Sequence, residues 1–255
     1  MKKIIFPNSA VHSGSLILVN GQCPYDEDKT EHVLVAANEA YGNVLMERRA
    51  VVLLSQLMDA IHGWSQIAAV SGYRSMREQQ DIWNRSLIEN GAKFTREFVA
   101  APGHSEHQTG LAIDLGLKQP NIDFIRPEFP YNGICQTFRE KATMFGFVER
   151  YPKGKENVTG IGHEPWHFRY VGVPHAAIMR EYEFTLEEYS AFIRQYPYGA
   201  RNYTYQKDGL NVVVAFLNAA KGSDTEIDID AEKPYSVSGN NTDGFIITQW
   251  RGKNG

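Results

Sequence analysis

Cysteine is scarce in this chain. There are two, Cys23 and Cys135, and neither belongs to a C-x-x-C pair, which argues against a thiolate metal site. The plain reading is two buried thiols, with a disulfide between them left open. Long apolar runs are missing too: none approaches the roughly 20 residues that a membrane-spanning helix needs. The opening MKKIIFPNSAVHSGSLILVNG has two lysines but no signal-type apolar core, since SLILV is too short and lies too far in. The expectation is a cytoplasmic protein with no membrane partner. Nor is there an excess of positive charge. Lys and Arg number 26 against 30 Asp and Glu, a formal net charge of −4, so nothing points to a nucleic-acid partner. Internal repeats and low-complexity segments are absent.

What is present is ordinary globular material. The 255 residues, 42% hydrophobic and 22% charged, suffice for one substantial core and a small appendage. Thirteen Tyr, thirteen Phe and four Trp suggest a well-built core and an aromatic-lined cleft.

Periodicity divides the chain into elements. GSLILVNGQ reads as a strand entering a turn. NVLMERRAVVLLSQLMDAIHGW reads as a helix, with Met46, Ala50, Leu53, Leu57 and Ile61 at helical spacing and Gly63 as its C-cap. SQIAAVSGY is a short buried strand. A second helix opens at Ser75, because SMRE is a capping box with Glu78 at the third helical position; it runs to about Asn90 and ends at Gly91. KFTREFVAAPGHSEHQTG reads as a loop feeding the strand LAIDLG. ICQTFREKATMFGF is a helix ended at Gly146, and EPWHFRYVG has strand composition. PHAAIMREYE, with Pro174 at its start, and TLEEYSAFIRQY are short helices. From about residue 202 the pattern becomes purely β: LNVVVAF, TEIDIDA, YSVSG and GFIITQW. The expected division is therefore a catalytic domain over 1–200 and a β-rich appendage over 201–255. The five acids from Asp224 to Glu232 read as its solvated face.

The stretch GIGHEPWHFRYVG contains His163, Glu164 and His167, the letters H-E-x-x-H. On a helix that pattern puts two histidines on one face around a zinc ion. Pro165 makes such a helix poor, costing about 3 kcal/mol in an interior, and it pushes Glu164 toward extended geometry. Trp166, Phe168, Tyr170 and Val171 favour a strand. Residues three apart on a perfect strand face opposite sides, so Glu164 and His167 reach one site only if the chain bends near Pro165. His167 then becomes a metal ligand and Glu164 a nearby base, with His163 surplus. A catalytic zinc takes three protein ligands, and GHSEHQTGLAIDLG supplies two more candidates, His107 and Asp114.

Three ordered motifs now resemble a known family. Ser71 to Gln79 (SGYRSMREQ), Ser105–His107–Gly110–Ala112–Asp114, and Glu164–Trp166–His167 match the signatures of the VanY/VanX/VanXY zinc D-alanyl-D-alanine peptidases over roughly residues 15–185. The resemblance implies an α+β fold, shared with the Hedgehog N-terminal domain: a small antiparallel sheet with flanking helices, here followed by a C-terminal β appendage. It implies one Zn2+ per chain on His107, Asp114 and His167, with Glu164 as general base. Arg74, Gln79 and Ser105 become substrate-gripping residues, Arg74 also stabilising the oxyanion. Gln80, His104, His163 and His175 remain structural. The implied partner is a small peptide ending in D-Ala-D-Ala.

Within the family the lack of an export signal favours the VanXY type, which combines D,D-dipeptidase and D,D-carboxypeptidase action and points to vancomycin resistance. A VanY-type carboxypeptidase alone is the alternative, as is an L,D-peptidase or endolysin using the same core. A binding domain that keeps only the zinc is more remote, because it has little need of Arg74, Gln79 and Ser105 beside an intact base.

Overall fold

The computed structural model of the chain describes residues 2–27 and 32–252. In chain order its strands are β1 (Lys2–Phe6), β2 (Leu34–Ala36), β3 (Leu45–Glu47), β4 (Ile67–Ser71), β5 (Ala112–Leu117), β6 (Phe147–Tyr151), β7 (Glu164–Tyr170), β8 (Tyr203–Lys207), β9 (Leu210–Asn218), β10 (Thr225–Ile229), β11 (Tyr235–Gly239) and β12 (Gly244–Trp250). The helices are α1 (Arg48–Ile61), α2 (Met76–Glu89), α3 (Gly91–Phe98), α4 (Gly133–Ala142), α5 (Glu156–Thr159), α6 (Val173–Tyr182) and α7 (Leu186–Ile193). The α+β class with small antiparallel sheets is as expected.

Two compact units form, one from Val19 to Thr185, the other from the residues up to Leu18 together with those from Leu186 onward. This differs from a division at 200/201. The reason is local: Ile4 and Phe6 of β1 pack on a core of Ile227, Ile229 and Ile247, and β1 pairs with β10 from Lys2↔Ile229 to Phe6↔Thr225. The N-terminal strand therefore joins the C-terminal sheets. The alternation read in TEIDI holds, since Glu226 and Asp228 are exposed while Ile227 and Ile229 are buried. In the same unit β11, β12, β9 and β8 form an antiparallel sheet in that order.

The larger unit is built on the antiparallel sheet β4-β5-β7-β6. Its centre is aromatic. Phe129, Phe138 and Phe168 are almost fully buried, with centroids 4.8–5.7 Å apart in edge-on arrangements, each pair adding about 0.5–1.5 kcal/mol beyond its buried area. Helix α1 buries Ala50, Leu54, Leu57 and Met58 and packs against α4, which packs in turn on β6.

Several local expectations need correction. GSLILV forms no ladder, only an isolated bridge at Asn20↔Cys23 just beyond it. Helix α1 starts later than expected because the Tyr73 N–H donates to the Leu45 carbonyl (2.6 Å) and the Glu47 N–H to that of Gly110 (2.8 Å), holding 45–47 extended. At its end His62, at φ 53°, takes the left-handed cap position and Gly63 begins a 3-10 turn. Gly91 starts a helix rather than a loop, so KFTREF is helical in α3. Cys23 is half-buried and Cys135 buried, and they are thiols, not a disulfide; burial pushes the Cys135 thiol up to about 11.

His175 in α6 is buried, and burial, helped by Arg49, pushes it down to about 3 from an ordinary 6.5. The folded state keeps it neutral while the unfolded chain protonates below about 6.5. Stability is therefore intact above that pH and lost as pH falls toward 3, on the order of 3 kcal/mol by pH 4. Thermal melts of the His175→Gln variant from pH 7 to 4 are expected to fall less steeply than those of the wild type. Equal slopes would remove His175 from the account.

Candidate active site

The sheet register assembles the site. Asp114 of β5 stands opposite Ser71 of β4 on one side and His167 of β7 on the other. His107 arrives on a 3-10 turn, Glu106–Thr109, that ends at Gly110. Gly110 has φ +68°, and a Cβ there would press on Leu34 and Glu47, so glycine is needed for the turn that feeds β5. The Nδ1 of His107 donates to the Gly72 carbonyl at 2.6 Å, which leaves Nε2 3.1 Å from Asp114 Oδ2. His167 Nδ1 lies 2.9 Å from Asp114 Oδ1. One donor atom from each of His107, Asp114 and His167 falls within 4.8 Å of the others, and all three residues are buried.

Glu164 reaches the same place through an irregularity in the sheet. Glu149 pairs with Phe168 but Tyr151 with Glu164, so two steps along β6 match four along β7. The extra residues fall around Pro165, which cannot donate a ladder hydrogen bond. The bulge undoes the alternation that would have set Glu164 and His167 on opposite faces, and places Glu164 Oε2 3.7 Å from His167 Nδ1.

Burial and charge set the protonation of these groups. Burial pushes the Glu164 carboxyl up to about 8 against the pull of His167 and Arg74. It pushes His107 down to about 4, with Arg74 adding to the effect. Burial also opposes charge on His167, but the hydrogen bond and charge of Asp114, joined by Glu106 and Glu164, outweigh it and raise the imidazole to about 9. The two histidines hold Asp114 well below the usual carboxylate range despite its burial.

Arg74 directly precedes α2, whose capping box is present: Ser75 accepts from the Glu78 N–H and the Glu78 carboxylate accepts from the Ser75 N–H. The Arg74 N–H bonds the His107 carbonyl at 3.3 Å, tying the start of that helix to the turn carrying His107. Its Nε is buried and has no hydrogen-bond partner. Arg74 and Ser105 both line the cavity over the cluster, whose apolar wall includes Ile82, Phe98, Phe124, Ile125, Ile161 and Trp166. Gln79 is placed differently. It is fully buried and not among the lining residues; its Nε2 donates to the carbonyl of Ala100 (2.7 Å), which does line the cavity. His163 stands apart, with Nε2 2.7 Å from the Tyr131 hydroxyl. A His163→Ala variant is accordingly expected to keep any bound metal and most activity. Loss of metal from it, by elemental analysis, would revive the helical reading of H-E-x-x-H.

Sequence reasoning passed over three contributors to the cavity: Glu106, Tyr151 and the Phe124–Ile125 segment. The adjacency of Glu106 to His107 and the strand composition of FVERY were available signals. Nothing in the residues of the 118–131 loop announces that it folds over a site.

An antiparallel sheet that gathers two histidines, an aspartate and a raised-pKa glutamate beside an arginine has the make-up of a hydrolase site with a place that could hold a metal ion. Comparisons with known proteins narrow it. Residues 43–173 match the family model VanY: D-alanyl-D-alanine carboxypeptidase. The chain is 40% identical over 182 residues to the bifunctional D-Ala-D-Ala dipeptidase and D-Ala-D-Ala carboxypeptidase VanXYC of Enterococcus gallinarum, covering 71% of this chain and 96% of that one. A crystal structure of the vancomycin resistance D,D-dipeptidase VanXYg, in complex with a D-Ala-D-Ala phosphinate analog, superposes with a TM-score of 0.94 at 46% identity over 98% of this chain and 99% of that one. A mutant of the vancomycin resistance D,D-pentapeptidase VanY from a VanB-type resistance cassette, in complex with Zn(II), matches at 33% identity and TM-score 0.59, covering 69% of this chain and 98% of that one. The chain belongs to the VanY family of D-alanyl-D-alanine carboxypeptidases. No described helix is long and apolar enough to cross a membrane.

Proposed function

We propose that this chain is a zinc-dependent D,D-peptidase that hydrolyses D-Ala-D-Ala and peptidoglycan precursors ending in D-Ala-D-Ala. His107, Asp114 and His167 hold the zinc. Two imidazole nitrogens and a carboxylate oxygen are a catalytic-type donor set, three protein ligands with a position to spare, and their mutual distances fit one ion. When bound, zinc lowers the pKa of a water to about 7 and polarises a carbonyl.

The chain's own residues supply the rest. Glu164, ionising close to neutrality, takes the proton of the attacking water and returns it to the leaving amine. Arg74 brings a permanent charge to the developing oxyanion. Ser105 offers a hydroxyl to the substrate at the cavity wall, and Gln79 supports that wall by holding Ala100. The apolar residues exclude bulk water and shape the space for a terminal methyl.

The observation that carries the peptidase reading is the bulge that brings Glu164 onto the Asp114–His167 pair. The full-length likeness to a D,D-dipeptidase supports the bifunctional type over a carboxypeptidase alone. Two similar proteins are named for vancomycin resistance, which supports a role in removing the D-Ala-D-Ala ends that vancomycin recognises.

The test is release of D-Ala by the purified protein from D-Ala-D-Ala, from a pentapeptide precursor, and from matched substrates ending in D-Ser, in D-lactate or in an L-residue followed by D-Ala. Both D-Ala-D-Ala substrates should be cut, with little action on D-lactate. An apolar pocket rejects an added hydroxyl only by about 10², so D-Ser ends should be slower and not inert. Equal kcat/KM for D-Ser would refute the resistance role and leave the peptidase standing. Cleavage only after an L-residue would replace the D,D reading with an L,D one.

A further inference from the structure

We propose that Glu106 is a positioning residue for this site: its carboxylate holds the His167 ring by Nε2, so that Nδ1 is the nitrogen presented to the cluster. The role in metal binding rests on the reading above that His107, Asp114 and His167 hold the metal.

Glu106 is 1% exposed and sits in the turn immediately before His107. Both of its guanidinium partners fall on one oxygen. Arg150 Nε donates to Oε1 at 2.7 Å, and Arg169 Nη1 lies 2.9 Å from that same Oε1. Arg150 and Arg169 are themselves fully buried. The second oxygen, Oε2, is buried and makes no hydrogen bond, and His167 Nε2 is buried and makes none either. These two atoms lie 3.7 Å apart, less than an ångström beyond hydrogen-bond length. Buried polar atoms are rarely left without a partner, and each of these has the other as its neighbour.

One arginine would balance one carboxylate. Two on a single oxygen do more: they keep Glu106 an acceptor-only carboxylate and turn Oε2 toward β7. An acceptor there requires a proton on His167 Nε2, so Nδ1, 2.9 Å from Asp114 and 3.7 Å from Glu164, is the nitrogen that gives up its proton to a metal. A carboxylate behind a ligating histidine fixes its tautomer and ring orientation and is typically worth 10–100-fold in metal affinity or activity. In the sequence this glutamate is an unspecified position inside the Ser105–Asp114 motif, so the motif alone does not single it out.

Two measurements test the assignment. The first needs no variant. In ¹⁵N–¹H spectra of the wild-type protein, the His167 Nε2–H proton should be resolved and protected from solvent exchange, with or without zinc. A His167 ring protonated on Nδ1 alone, or an Nε2–H that exchanges freely, overturns the proposal. If wild-type protein binds no zinc while Nε2–H is protected, the metal reading fails and the positioning stands. The second measurement compares zinc dissociation constants, by chelator competition, for wild type, Glu106→Gln and Glu106→Asp. The aspartate keeps the charge beside Arg150 and Arg169 but withdraws Oε2 from the ring. It should keep its melting temperature and bind zinc 10–100-fold more weakly, with the His107 ring signals unmoved. A folded Glu106→Asp protein with wild-type zinc affinity and an unmoved His167 signal would reduce Glu106 to a counterion for the two arginines.

Discussion

Replacing Glu164 with Gln is expected to leave zinc content and fold intact and to lower kcat by at least about 10²-fold, the usual worth of a general base. The side chain is buried, stands 3.7 Å from His167, and has a carboxyl that burial pushes up to about 8. That shift makes it a stronger base than an ordinary glutamate, and a cation in the cluster pulls it back down. Wild-type activity should therefore rise with pH as Glu164 ionises, and the residual activity of the variant should lack that limb. The same shift has a sign for stability. A group with a raised folded pKa contributes most below its unfolded value of 4.5, and its contribution is lost as pH rises through about 8. At pH 7 the folded state keeps a proton that the unfolded chain has lost, which already costs stability, so the Gln variant should melt no lower than wild type. A variant that keeps wild-type kcat would remove Glu164 from the mechanism.

Replacing His107 or His167 with Ala is expected to abolish zinc binding, and turnover with it. Each residue contributes one of three donors, and no other residue is grouped with them among those described. The loss should also appear without any substrate. A chelator should lower the melting temperature of the wild type, because a ligand bound only by the folded state stabilises it, and should leave that of either variant unchanged. His167 is raised to about 9 without the metal, so metal uptake displaces a proton. Apparent affinity should climb as pH rises toward 9. Full zinc content in either purified alanine variant, measured by elemental analysis, would sink the ligand assignment.

What was legible in the sequence follows from how local each cause is. The capping box at Ser75 and Glu78 and the left-handed turn at Gly146 are written in four or five residues, and both are present. Pro165 among Trp166, Phe168 and Tyr170 was enough to read a strand where the letters suggested a helix. The bend that lets Glu164 and His167 share a site could be required from the sequence; its form, four residues of β7 against two of β6, depends on a partner strand that was not recognised. The failures are non-local. Residues 45–47 have helical periodicity but are held extended by Tyr73 and Gly110. KFTREF hides a helix behind the glycine that starts it. For Gln79, a motif gave the position but not the partner of its Nε2, the Ala100 carbonyl.

The pairing of β1 with β10 bears on how the chain acquires its shape. Lys3 and Glu226 are 223 residues apart, so β1 waits for a partner strand synthesised long after it. Contacts this distant in sequence are slow to form, because the intervening loop must close before they stabilise anything. Until then Ile4 and Phe6 lack their apolar partners and the strand edge stays open, a state prone to pairing with other chains. Cutting the chain at residue 200 would make that waiting state permanent. The unit from Val19 to Thr185, whose strands pair within its own span, has no such wait and can condense first.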